Sequence, residues 1–348
     1  MELLIYLILF LLVLIVSSTT NKLLPFLPLP LVQILLGIVI GLFLPNTDFH
    51  LNTELFLALI IGPLLFRESE EADITAILKH WRIIVYLIFP VIFISTLSLG
   101  GLAHLLWLSL PLAACLAVGA ALGPTDLVAF ASLSERFSFP KRVSNILKGE
   151  GLLNDASGLV AFQVALTAWT TGAFSLGQAS SSLIFSILGG FLIGFLTAMI
   201  NRFLHTFLLS VRATDIASEL LLELSLPLVT FFLAEEVHVS GIIAVVVAGI
   251  LKASRFKKIT LLEAQVDTVT ETVWHTVNFM LNGSVFVILG MELEMIAEPI
   301  LTNPIYNPLL LLLSLVALTF VLFAIRFVMI YGYYAYRTRR LKKKLNKY

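Results

Sequence analysis

Apolar residues run along this chain in long blocks, broken at intervals by short polar connectors. Eleven such blocks stand out, at about 2–17, 30–44, 52–66, 82–103, 110–133, 144–169, 181–203, 216–234, 239–251, 272–291 and 308–334. Blocks of this kind predict helices that cross the ~30 Å hydrocarbon core of a bilayer. The first block has no basic segment before it, and Ser17-Ser18-Thr19-Thr20 makes a poor cleavage site, so it reads as a retained span rather than a removed signal.

The connectors carry the orientation. Lys22, Arg67, Lys79, Arg82, Arg136, Lys141, Arg142, Lys148, Arg202, Arg212, Lys252, Arg255, Lys257, Lys258 and the tail from Arg337 onward all fall on odd-numbered connectors or the C-terminal end. That places 21 of the 22 Lys and Arg residues on one side, which the positive-inside rule assigns to the cytoplasm, with the N-terminus outside and the C-terminus inside. The remaining base, Arg326, lies within the eleventh block. Residues 335–348 read as a basic cytoplasmic tail that anchors to anionic headgroups.

Composition agrees with a membrane protein. Hydrophobic residues make up 59% and charged residues 13%, about half the charge of a soluble domain. Mean hydropathy is +1.01. Cys115 is the only cysteine and reads as core packing. The six histidines show no metal-ligand spacing. A nucleotide-binding loop, a Cys/His cluster and a nucleophile elbow are all missing, which excludes ATP-driven pumping and hydrolase chemistry of those kinds and gives no sign of nucleotide, nucleic acid or resident cofactor. The expected fold is therefore all-α, a polytopic membrane protein of about eleven transmembrane helices.

Ionisable groups inside such spans are costly and point to function. The sixth span holds Glu150 and Asp155 in KGEGLLNDASGLVAF, with Gly151, Asp155, Gly158 and Phe162 on one helical stripe and Glu150, Asn154, Ser157 and Ala161 on the next. At 1.5 Å per residue, Asp155 lies ~17 Å deep and Glu150 ~9 Å deep. Arg326 on the eleventh span comes to ~12 Å, so Glu150 and Arg326 form a natural structural ion pair tying those spans together. Asp155 has no obvious cationic neighbour, and such a group can exchange a proton for a small cation.

In the fifth span, Gly123-Pro124-Thr125-Asp126 predicts a broken helix near 123–126, because proline removes a donor and clashes with the preceding turn. Broken spans expose carbonyls that bind cations. Asp126 at that break has two readings, an acid balancing the open helix end and an acid lining an ion path. Glu219 and Glu223, one turn apart near the inner end of the eighth span, read either as a cation-concentrating funnel or as interfacial anchors.

These segments also carry a family resemblance. GPTDLVAFASL (123–133), GEGLLNDASGLVAF (149–162), VSGIIAVVVAGIL (239–251) and RFVMIYG (326–332), with PLLFRESEEAD (63–73) and VFVILGMELE (285–294), resemble in order the NhaP-type and NHE-type sodium/proton antiporters. The resemblance implies an inverted-repeat fold with an ion-carrying core and a dimerisation domain, and so a homodimer in the cell membrane. It implies that Na+ and H+ alternate on Asp155, with Asn154 the neutral neighbour typical of electroneutral members and Li+ and K+ as further cations. Thr125 would offer a backbone carbonyl beside Asp126, and Glu150 and Arg326 fall on the family's core ion pair.

Three departures accompany it. Gly151 stands where some relatives have a serine ligand, Glu68 is the nearest candidate for a span-three glutamate with an interfacial role as the alternative, and the sequence ends at Tyr348 before a glycine-rich span and a final helix that the family pattern contains. The expectation is a C-terminally incomplete antiporter fold. The rival readings are a non-transporting remnant or one chain of a split transporter, and more remotely an intramembrane aspartyl protease using Asp126 and Asp155.

Overall fold

The computed structural model describes residues 2–24, 26–43, 52–125, 139–171, 176–211, 215–253, 261–302 and 307–345. Within these ranges the side chains of 2–7, 76, 152, 153, 155, 156, 159, 160, 171, 176–183, 261–267, 298–302 and 340–345 lie outside the description. The described chain is helical, with no strand. Its elements are α1 (Glu2–Leu23), α2 (Leu29–Phe43), α3 (Thr53–Phe56), a π-helical turn (Leu57–Ile61), α4 (Gly62–Glu71), α5 (Ile74–Tyr86), a second π-helical turn (Leu87–Val91), α6 (Ile92–Leu106), α7 (Leu112–Leu122), α8 (Lys141–Thr171), α9 (Leu176–Ser210), α10 (Ile216–Glu236), α11 (Gly241–Ala253), α12 (Leu261–Thr302) and α13 (Pro308–Leu345).

A helix or helical rod lies over each of the eleven apolar blocks. Several run well beyond the apolar part, because charged and aromatic residues at an interface are good enough helix formers to carry the backbone bonds onward. Thus α12 extends past both ends of 272–291, and α13 continues through the basic segment that sequence patterning set apart as a tail. Among the described residues, Ile77–Leu106, Ile184–Ser210, Ile216–Glu236, Thr268–Ala297 and Pro308–Arg339 are long and apolar enough to cross a membrane by themselves. This is an integral membrane protein.

Local chemistry explains the ends and irregularities. Asn52 caps α3 by accepting from the amides of Glu54 and Leu55 at 2.9 and 3.2 Å. Asn307 does the same for α13, accepting from Leu309 at 3.1 Å, with Pro308 in the first helical position where its missing N–H costs nothing. The two π-helical turns coincide with prolines. Pro90 lies inside the second, and Pro63 follows the first by two residues. Widening the turn relieves the ring's clash with the carbonyl four residues earlier.

The chain divides into two compact units. The first is built from α1 to α4, from α9 beyond Ser181, and from α10 to α12. In it α2 lies against α12 at contact distances only glycine permits. A Cβ on Gly37 would overlap the Val287 carbonyl, and one on Gly290 would overlap that of Ile34. The second unit is built from α5 to α8 and α13. Its core is an aliphatic cluster of Ile83, Ile84, Leu87, Ile88, Val91, Ile92 and Ile146, with Met329 and Tyr333 packed on it. A further cluster joins Leu99, Ala103 and Cys115 to Leu318. These two clusters fix α13 on either side of Arg326.

Candidate functional site

In the second unit α7 stops at Leu122, and Gly123, Pro124 and Thr125 are not helical. Asp126 lies outside the described residues. The open end is held against α8 because a side chain at Gly158 would collide with the Pro124 ring, so glycine there lets the two elements meet.

A compact polar cluster forms at this junction. Arg326 Nη1 of α13 lies 3.3 Å from Glu150 Oε1 of α8. Its Nη2 donates to the Gly123 carbonyl at 2.7 Å. The guanidinium therefore neutralises a carboxylate and also satisfies a carbonyl at the negative end of α7, where helix termini leave acceptors without partners. The Thr125 hydroxyl donates to Glu150 Oε1 at 3.2 Å. Asn154 Nδ2 donates to Thr125 Oγ1 at 3.2 Å and reaches Glu150 Oε1 at 3.5 Å. One carboxylate oxygen thus takes contacts from three elements, and Glu150 is only 2% exposed.

Asn154 is fully buried, at 0% exposure. Its Oδ1 has no hydrogen-bond donor among the described residues. Buried acceptors without donors are uncommon and cost ~1–3 kcal/mol. Asp155 follows Asn154 on α8, and its side chain is outside the described set.

The remaining sequence candidates belong to the first unit and have partners of their own. Glu68, half-buried, lies on α4. Glu219 Oε2 is 3.3 Å from His205 Nε2. Glu223 Oε1 lies 2.8 Å from Lys252 Nζ and accepts from Trp274 Nε1 at 3.0 Å. Lys252 also reaches Glu70 at 3.3 Å, and Arg67 bridges Glu70 and Glu71 at 3.0 and 2.6 Å. Arg67 lies 5.8 Å from the Trp274 ring centre and Lys252 5.5 Å from that of Phe66.

Two features of these clusters were not anticipated from sequence. The first is the Arg326 bond to the Gly123 carbonyl. Its signal was available, since a guanidinium has five donors and one carboxylate cannot occupy them all, while the Gly-Pro break supplies an acceptor. The second is the Thr125 hydroxyl as a bridge between Asn154 and Glu150. The interleaved acid and base network of the first unit had no sequence signal, because its members lie at the ends of apolar blocks where charge is ordinary.

An all-helical membrane fold in which α7 ends at a Gly-Pro segment beside a buried acid, base and amide resembles the helix-end sites found in secondary transporters. Residues 7–345 match the transmembrane sodium/hydrogen exchanger family, and the chain belongs to it. It is 36% identical over 313 residues to the sodium, potassium, lithium and rubidium/H+ antiporter of Bacillus subtilis (strain 168), covering 90% of this chain and 47% of that protein. The antiporter of the same name from Bacillus pumilus (strain SAFR-032) is 35% identical over 97% of this chain and 50% of its own length. The chain thus spans about half the length of these relatives. Its fold is shared with the sodium proton antiporter MjNhaP1 from Methanocaldococcus jannaschii at pH 8, with a TM-score of 0.64 and 20% identity over 84% of this chain and 71% of the other.

Proposed function

We propose that this chain exchanges Na+ for H+ across the membrane by alternating access, with Asp155 occupied by each ion in turn. The observation that carries this reading is the commitment of Glu150. It is held by Arg326, Thr125 and Asn154 at a single oxygen, which leaves it to structure. Asp155 is the other acid of α8, one residue beyond the buried Asn154.

Competition for one carboxylate is sufficient for coupling. A proton displaces the cation as pH falls, the cation displaces the proton as pH rises, and the emptied site has no reason to cross. Asn154 adds no charge beside Asp155, which makes the exchange electroneutral. Its Oδ1, without a donor among the described residues, and the carbonyl of Thr125 are neutral oxygens suited to a partly dehydrated alkali cation, and Asp126, next in sequence, is a further candidate ligand. The names of the Bacillus relatives make Li+ and K+ further candidates as cargo.

In this reading the protein is a transporter and not an enzyme. It sits in the cell membrane with the basic connectors and C-terminal end in the cytoplasm, and works as a homodimer. The test is pH-dependent Na+/H+ exchange by the purified full chain in proteoliposomes. The Asp155→Asn variant is expected to lose cation-driven proton flux at unchanged expression and thermal stability. Exchange retained by that variant would refute the assignment.

A further inference from the structure

The first unit contains a cavity of about 260 Å³ that the exchange reading does not use. It lies between α9, α10 and α11, and its lining includes Phe195, Met199, Asn201, Arg202, Leu251 and Lys252. Arg202 is exposed, and its guanidinium has no ion pair among the described residues. Lys252 keeps its ammonium enclosed against Glu223 and Glu70, at 2.8 and 3.3 Å, and so leaves Arg202 as the accessible cation of the lining.

The lining is graded along α9. Asn201 and Arg202 stand near the C-terminal end of the helix, while Met199 and Phe195 lie ~5 and ~10 Å deeper at 1.5 Å per residue. Met199 is 54% exposed and Phe195 37% exposed on the side of α9 where apolar side chains run almost without interruption. Lys252 comes from the last turn of α11. A cationic and amide rim above an apolar floor is the order in which a phospholipid presents a phosphate headgroup and then its chains.

We propose that this cavity is a binding site for an anionic phospholipid, the phosphate taken by Arg202 with Asn201, and the upper acyl chain laid over Met199 and Phe195. Basic pockets between membrane helices suit such headgroups. The volume is below the 300–1,000 Å³ of ordinary ligand pockets and fits a headgroup rather than a whole lipid. The site does not depend on transport, so it stands or falls separately from the exchange reading.

The test is thermal unfolding of the purified full chain in a neutral detergent, with phosphatidylglycerol, phosphatidylcholine or soluble glycerol phosphate added. Phosphatidylglycerol should raise Tm by several degrees and phosphatidylcholine by much less, with glycerol phosphate without effect. Arg202→Gln should remove most of the phosphatidylglycerol increment while leaving Tm in detergent alone unchanged, because Arg202 makes no ion pair among the described residues. Arg339→Gln, which removes one cation from the basic end of α13, should retain the increment. The proposal is overturned if phosphatidylglycerol gives no shift, if phosphatidylcholine or glycerol phosphate matches it, if R202Q keeps it, or if R339Q loses as much.

Discussion

The two units each bury acids against bases, and they do so in opposite ways. In the first, Lys252 serves Glu70 and Glu223, Arg67 serves Glu70 and Glu71, and Trp274 adds a further donor to Glu223. Each of these carboxylates has a cation, and Glu70 has two. In the second, a single acid meets a single base, and the surrounding neutral groups leave the Asn154 carbonyl oxygen without a donor among the described residues. Shared and redundant ion pairing of this kind holds helices together. In the proposed reading, a cluster whose charges cancel and whose amide oxygen lacks a donor among the described residues offers a neutral ligand to the exchanged cation.

The largest effect expected from this contrast is on the single pair. Arg326→Ala strips Glu150 of its cation and Gly123 of its donor at once, with Glu150 almost fully buried. Breaking such a pair from one side costs ~3–5 kcal/mol, visible as a large drop in thermal stability in detergent. Wild-type stability in that variant would mean the pair is not structural.

Lys252→Met is expected to cost less, ~1.5–3 kcal/mol, although Lys252 is more enclosed than Arg326. Glu70 keeps Arg67, and Glu223 keeps the Trp274 N–H. Equal losses in the two variants, compared in the same detergent, would remove the distinction between redundant and single pairing.

Asn154→Ala separates structure from exchange more finely. It removes a bond of 3.2 Å and a contact of 3.5 Å, together with a buried oxygen that has no donor among the described residues, so the two changes offset and stability should move by less than ~1 kcal/mol. Apparent Na+ affinity in proteoliposomes should nevertheless fall. A variant that loses stability and keeps its affinity would assign Asn154 to scaffolding alone.

Much of this arrangement could be read without coordinates, for an identifiable reason. A bilayer imposes one dimension, so blocks of apolar residues mark the helices and counting residues from the interface gives depth. That arithmetic brought Glu150 and Arg326 to one level, and their side chains lie 3.3 Å apart. Depth says nothing about azimuth, however. Arg67, Glu223, Lys252 and Trp274 are far apart in sequence and all lie near block ends, where each alone reads as an interfacial residue, and only packing brings them into one network. The π-helical turns were also beyond reach, since proline at Pro63 and Pro90 signals a disturbance without fixing its form.

The smallest effect concerns a charge that neither unit buries. Asp215 caps α10, the helix that carries Glu219 and Glu223, and accepts from the Ser218 amide at 2.8 Å while the Ser218 hydroxyl bonds back to the Asp215 backbone. Hydrogen bonds from Ser218 hold its carboxyl below the usual carboxylate range, although it is exposed to solvent. A folded pKa below the unfolded value of about 3.9 means the cap contributes at any pH above that value, and its contribution fades as pH falls through the lower, folded pKa. Asp215→Ala should therefore lower Tm slightly at neutral pH, and the gap from wild type should stay constant down to about pH 5 and close in more acid solution. The buried pairs of α10 are common to both proteins and cancel in that difference. A gap that widened on acidification would have the wrong sign for a cap and would point to Asp215 acting through the buried acids instead.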